Sequence, residues 1–224
     1  MIYITGDTHG DQARLLYPAA GEMKPEDALI VCGDFGFLFC DDVKENAFLD
    51  RLEQMPGTYC FVDGNHENFN AIFRYPETEW NGGRVHAVRK NVLHLMRGQY
   101  FTIGGRTFFT FGGAYSIDRY MRQENVSYWP QELPSDAEYR QAAANAEAHG
   151  MKADFILTHT APREMVLRLG YRPDAHELEL NGFLEYLMYE MDFKKWYCGH
   201  WHVDREMTDK FRFLWFDTVC IKEV

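Results

Sequence analysis

The stretch Tyr59-Cys60-Phe61-Val62-Asp63-Gly64-Asn65-His66-Glu67 decides how this chain is read. A β-type apolar run breaks at Asp63-Gly64, the pattern of a strand end followed by a tight turn. The turn then presents an amide, an imidazole and a carboxylate in consecutive positions. Placing such a group beside a buried strand is costly unless it contacts a metal or a substrate. Alone the tetrapeptide is a weak signal, because Asn-His pairs also occur in ordinary turns. Its weight comes from other strand ends of the same character: Asp7 with His9, Asp34, His159, and His200 with His202.

Upstream, residues 1–5 read as an apolar strand running into Gly6-Asp7-Thr8-His9-Gly10, and residues 27–32 as a buried strand running into Gly33-Asp34. A short helix is expected over 13–20. A second, capped by Asp41, is expected to reach about residue 55 with Phe48, Leu49 and Leu52 on one face. Strands alternating with helices at this spacing predict parallel β-α-β units. In such sheets functional groups gather at the carboxyl ends of the strands.

Downstream, residues 83–111 change character. Four short alternating runs, with Gly104-Gly105 as a two-residue hairpin turn, predict one antiparallel meander. Residues 112–134 have no clear periodicity and are long for a connection in a compact domain, so they are expected to form a functional or covering loop. Ser135-Asp-Ala-Glu138 is a capping box opening a helix to about His149, with Gly150 as its stop. A strand over 154–158 leads to His159, and a helix over 178–191 follows. A strand over 193–198 leads to Gly199-His200-Trp201-His202, and two or three closing strands fill 205–224.

The 224 residues suit one domain spanning the whole chain, 1–224. Hydrophobic residues make up 46% and charged residues 25%, ordinary for a globular protein. A formal charge of -11 argues against a broad groove for extended nucleic acid but leaves room for a small phosphorylated substrate. The five cysteines are odd in number and lack C-x-x-C spacing, so neither a disulfide framework nor a thiolate zinc site is expected. There is no signal-peptide pattern and no membrane-length apolar run, and the expected setting is reduced and cytoplasmic.

Histidine and carboxylate side chains are the usual ligands of borderline transition ions. In extended backbone, the one-residue gaps of Asp7-Thr8-His9 and His200-Trp201-His202 would put both ligands of each pair on one face. Seven ligand-type residues, Asp7, His9, Asp34, Asn65, His159, His200 and His202, are too many for one tetrahedral ion and suit two of higher coordination. Asp34, alone between the early groups, is the natural bridging carboxylate.

The order Asp-x-His, Gly-Asp, Gly-Asn-His-Glu, His and Gly-His-x-His resembles the calcineurin-like metallophosphoesterase family, and the match runs from Asp7 to His202. The resemblance implies a mixed α/β fold, a four-layer αββα sandwich in which helices flank two mixed β-sheets. It also implies a dinuclear centre at the strand ends. In it Asp7, His9 and His202 hold one ion with Asp34, and Asn65, His159 and His200 hold the other, again with Asp34. His66 takes the place of the catalytic histidine outside the metal shell. Many relatives carry a further acidic residue after the Gly-Asp, and protein phosphatases an Asp-Arg-Gly. This chain has Asp34-Phe35-Gly36-Phe37. The partner that orients the histidine and the arginine that grips phosphate are therefore absent at those positions.

The expected activity is hydrolysis of a phosphomonoester or small phosphodiester by a phosphoric ester hydrolase with two divalent transition ions, Mn first, with Fe, Zn or Ni as alternatives. Ions roughly 3.5–4 Å apart polarise phosphoryl oxygens and deprotonate a bridging water, whose hydroxide attacks phosphorus while His66 assists the leaving oxygen. Arg119 and Arg122, on the covering loop, are candidates to hold the remaining substrate charge. Tyr115, Trp129 and Trp201 are either pocket walls or ordinary packing. A nuclease or nucleotide phosphodiesterase, and a non-catalytic scaffold that keeps its metals, are the competing readings.

Overall fold

The structure is a computed structural model and describes residues 1–18 and 23–221. Alternation along the central strands explains the layers. In β2 (Ala28–Cys32) and β3 (Thr58–Val62), the residues Ala28, Ile30, Cys32, Cys60 and Val62 enter one core, and Leu29, Val31, Tyr59 and Phe61 enter another. Strands buried on both faces read as unbroken apolar runs, as these do.

With β1 (Ile2–Thr5), β4 (Glu77–Trp80), β5 (Gly83–Arg89), β6 (Val92–Leu95) and β13 (Val219–Ile221), they form a seven-stranded sheet in the order β13-β1-β2-β3-β6-β5-β4. Its centre, β1-β2-β3-β6, is parallel, and its edges are antiparallel. A six-stranded sheet runs β11-β12-β10-β9-β8-β7. Its strands are β7 (Gln99–Ile103), β8 (Arg106–Phe111), β9 (Lys152–Thr158), β10 (Asp192–Cys198), β11 (Arg205–Thr208) and β12 (Phe211–Phe213). It is mixed too, with β8, β9, β10 and β12 parallel.

One apolar core lies between the sheets and joins Ile4, Ile30 and Val62 to Phe108, Leu157 and Tyr197. The helices α1 (Gln12–Leu16), α2 (Val43–Glu53) and α3 (Phe69–Ile72) cover the outer face of the first sheet. The helices α4 (Asp136–Ala148), α5 (Arg163–Leu169) and α6 (Leu178–Glu190) cover that of the second. This is the four-layer αββα arrangement.

Several expectations need correction. The four runs over 83–111 do not form one meander: β5 and β6 pair in the first sheet and β7 and β8 in the second. The chain crosses between sheets at Met96-Arg97-Gly98, where Gly98 has φ +68° and Arg97 is buried on Asp63. The Gly104-Gly105 turn does join β7 to β8. The cap of α2 is Asp42, whose side chain accepts from the backbone N–H of Lys44 and Glu45; Asp41 lies outside with φ +54°. The capping box of Ser135 and Glu138 is present. Strand β4 and helices α3 and α5 had no expectation. The expected ends at Ala19, Ala20 and 222–224 lie outside the described residues. All five cysteines are free. Among the described residues no helix is long and apolar enough to cross a membrane.

Phe61 is fully buried and stacks on Phe35 with ring centroids 4.5 Å apart at 4°. Replacing Phe61 by Ala should cost about 3–5 kcal/mol, read as a lowered urea midpoint at unchanged slope. A fall below about 1 kcal/mol would mean that the layer between the first sheet and its helices is not close-packed.

Candidate metal centre and active site

Every ligand-type residue singled out in the sequence sits just beyond the carboxyl end of a strand. Asp7 and His9 follow β1, Asp34 follows β2, and Asn65 follows β3. His159 follows β9, and His200 and His202 follow β10. These strands are neighbours within each sheet, so their ends converge from two sides.

The local backbone is not extended, as the one-residue gaps had suggested. Asp7 (φ 45°), His9 (44°), Asp34 (52°), His200 (67°) and His202 (48°) all lie in the left-handed region, uncommon for residues other than glycine. The turns are held by backbone bonds from His9 N–H to the Asp34 carbonyl (2.8 Å) and from Asp7 N–H to the Gly33 carbonyl (3.2 Å). Arg14 of α1 donates from Nη1 to the Asp7 carbonyl at 2.9 Å and from Nη2 to that of Gly6 at 2.6 Å.

One group of donors comprises Asp7, His9, Asp34 and His202, whose ligand atoms all lie within 4.8 Å of one another. The two imidazoles face each other, Nε2 to Nε2, at 3.0 Å. His9 Nε2 is 3.6 Å from Asp34 Oδ2, and His202 Nε2 is 3.6 Å from Asp7 Oδ1. Asp7 also accepts the His200 N–H on both carboxylate oxygens at 2.9 Å.

The second group gathers on the other oxygen of Asp34. His159 Nε2 is 3.4 Å from Asp34 Oδ1 and 3.1 Å from Asn65 Oδ1, and His200 Nδ1 is 3.1 Å from the same amide oxygen. Acting as a metal ligand, the His159 ring is neutral: its Nδ1–H then donates to the Cys32 carbonyl at 2.8 Å and its Nε2 lone pair faces Asn65 and Asp34. Three acceptors so disposed repel one another unless a cation lies among them, so the donor set fits a divalent ion. Burial pushes His200 down to about 3, keeping its ring neutral. Burial pushes Asp34 up, but His159, then His66, His9 and His200, draw it down to about 2.

His66 is not part of either group. Its N–H donates to Asp34 Oδ1 at 2.9 Å, and its ring stands edge-on to His9 at 5.4 Å. Both ring nitrogens face the Arg122 guanidinium, Nδ1 at 3.4 Å from Nη1 and Nε2 at 3.2 Å from Nη2. Burial, with Arg122 among the further causes, lowers the His66 pKa. Phe37 cannot orient this histidine, since it is buried and stacked on Phe48 at 4.4 Å. Arg119 is placed differently from Arg122: its Nε donates to the buried Glu132, its guanidinium lies over Tyr115 and Tyr128, and it does not line the cleft. That corrects its candidacy as a substrate contact. Glu67 serves the turn, accepting from Phe35 N–H (2.7 Å) and Gly64 N–H (2.5 Å).

A cleft of about 610 Å³ opens over Asp34, Asn65, His66, His200 and His202. Its walls include Tyr115, Ser116 and Arg122 from residues 112–134 and Trp201 from the turn after β10. They also include Tyr171 and Arg172, which sequence reasoning passed over. Trp129 is buried against Phe39 and is packing. No signal in the sequence marks 171–175 beyond the Gly170 that ends α5.

A family model of calcineurin-like phosphoesterases matches residues 1–204, a span that contains both donor groups. The chain belongs to that family. As a calcineurin-like phosphoesterase it is a metal-dependent hydrolase of phosphoester bonds, and the family implies bound divalent ions. No curated protein matches the chain. A solved structure similar to this phosphoesterase is the crystal structure of a phosphopantetheinyl hydrolase from Mycobacterium tuberculosis. The two share 18% identity over 95% of this chain and 86% of that one, with a TM-score of 0.48.

The turn beside Asn65 leaves no room for a side chain at Gly64, where an added Cβ would lie 2.2 Å from Asp34 Oδ1 and 2.8 Å from His159 Nε2. Gly64→Ala should therefore lower bound metal while leaving the far-UV spectrum intact. Full metal content in that variant would show that the space between Asp34 and His159 is not where an ion sits.

Proposed function

We propose that this phosphoesterase works as a single domain with two divalent ions and hydrolyses a small phosphomonoester or phosphodiester. Asp7, His9 and His202 would hold one ion, Asn65, His159 and His200 the other, and Asp34 both. The observation that carries this reading is that Asp34 turns a different oxygen to each group, Oδ2 to His9 and Oδ1 to His159. Manganese suits a set of imidazole, carboxylate and amide oxygen ligands. The free cysteines fit a reduced, cytoplasmic setting.

The chemistry such ions supply when bound is Lewis acidity toward phosphoryl oxygens and a nucleophile drawn from water at neutral pH. The chain supplies position and protons. His66 stands in the cleft wall with its backbone fixed on Asp34, and a ring N–H there can donate to the leaving oxygen. Arg122 is anchored by Asp118 at 2.7 Å and by the Ser127 carbonyl at 3.1 Å. Its Nη2, turned toward His66, is available to a non-bridging phosphoryl oxygen once substrate enters. The walls of Tyr115, Tyr171 and Trp201 suit a substrate with an apolar or flat body.

Elemental analysis of Mn-loaded protein should approach two equivalents, and Asp34→Asn should reduce it. Saturation at one equivalent would end the two-ion reading. His66→Ala should keep both ions and lose about 10²–10⁴ in rate, with a larger loss on an alkyl phosphate than on p-nitrophenyl phosphate, whose leaving group needs little protonation. Equal losses on the two substrates would remove His66 from the leaving-group role. Absence of hydrolysis of p-nitrophenyl phosphate and its bis ester by the Mn-loaded wild type would favour a scaffold.

A further inference from the structure

We propose that Ser116 and Glu132 are positioning residues for the metal centre: together they decide which end of the Asn65 amide faces the ions. The inference rests on the reading of Asn65 as a ligand. An asparagine amide is nearly symmetric in shape, yet its oxygen accepts and its nitrogen only donates, so a ligating asparagine needs something to choose its orientation.

The choice can be followed atom by atom. Glu132 is fully buried, and its Oε1 accepts from the Ser116 N–H at 3.0 Å and from Arg119 Nε. Both partners are pure donors, so this end of Glu132 is an acceptor. Its other oxygen, Oε2, lies 2.8 Å from Ser116 Oγ. A serine hydroxyl carries a single hydrogen, and the competing acceptor, the Asn65 carbonyl, is 3.5 Å away. The shorter contact takes the hydrogen. The lone pairs of Oγ then face Asn65 Nδ2 at 3.1 Å, and they can only accept. The amide nitrogen is drawn to Ser116, and Oδ1 is left facing His159 and His200 at 3.1 Å each. Reversal would set Oδ1 against the hydroxyl lone pairs and turn an amide nitrogen, which has no lone pair to give an ion, toward His159 and His200.

The two halves of this chain are also tied together from behind. Arg97, buried, donates from Nε to Asp63 at 2.9 Å, two residues before Asn65, and from Nη2 to the Gln131 carbonyl at 2.8 Å, beside Glu132. The Gly113 N–H donates to the Asp63 carbonyl at 2.8 Å. The segment over 112–134 is thereby docked on the turn whose ligand it orients.

The test is a calorimetric titration of metal-free protein with Mn²⁺ alone, beside the thermal midpoint of each variant. Wild type should bind two equivalents, and Asn65→Ala one. Ser116→Ala should weaken one equivalent by about 10–100-fold, the usual effect of losing a group that orients a ligand, and leave the other unchanged. Glu132→Gln keeps the volume and discriminates polarity from packing. Its oxygen must take the place facing Ser116 N–H and Arg119, so its NH₂ faces Ser116 Oγ and turns the hydroxyl hydrogen onto Asn65. It should weaken the same equivalent, and it carries the test if Ser116→Ala does not fold. Two wild-type equivalents with full affinity in both variants, alongside loss of one in Asn65→Ala, would overturn this inference and spare the two-ion reading. A wild type saturating at one equivalent overturns both.

Discussion

Asp34 is a buried carboxylate held among imidazoles and the His66 backbone N–H, and the rest of the architecture serves that contact. A carboxylate in this position is tolerable only while charge and hydrogen bonds compensate its loss of water. His159 reaches it from the second sheet, His9 from β1 and the His66 N–H from the turn after β3. The two sheets must therefore bring their strand ends to one place. The inter-sheet core of Ile4, Ile30, Val62, Leu157 and Tyr197 fixes that approach. Any relative slide of the sheets would strip Asp34 of part of its surroundings.

The segment Asp34-Phe35-Gly36-Phe37 gives the His66 ring no acidic partner, and a different arrangement surrounds it. Phe37 goes into the helix-facing core, and the groups around the His66 ring are Arg122, His9 and Phe39. A guanidinium beside an imidazole disfavours the protonated ring, where an acid would favour it. Glu67, next in sequence, does not compensate, because both its oxygens are spent on the backbone of Phe35 and Gly64.

The strand ends were legible because each apolar run stops at a polar residue that has no local use. Asp34 after Ala28–Cys32 is the plainest case. What escaped was whatever depends on direction in space. Arg119 and Arg122 are three apart on a segment without periodicity, and nothing in the letters says that one turns to Glu132 and the other to His66. Arg97 reads as an ordinary arginine between two strands, and its burial on Asp63 shows only when the chain crosses between sheets. His86 and His94, which fell outside every motif, stack at 5.2 Å as a buried pair ending on Asp63. The pairing of β5 with β6 and of β7 with β8 was visible in their alternation. Their assignment to different sheets was not, because alternation reports a buried face without saying whose.

On the ligand set proposed above, the left-handed backbone at Asp7, His9, Asp34, His200 and His202 would tie the folding of this chain to its ions. Such conformations cost of order 1–3 kcal/mol each where nothing local favours them, and here they fall on residues whose side chains also crowd like-for-like acceptors. Ions that bind the native state and not the unfolded chain offset that load by mass action, about 4 kcal/mol at a thousandfold excess over the dissociation constant. Thermodynamic linkage then makes the melting temperature a readout of occupancy. A chelator becomes a mild denaturant of this fold, and the level of available metal sets how long the chain survives as well as how fast it turns over.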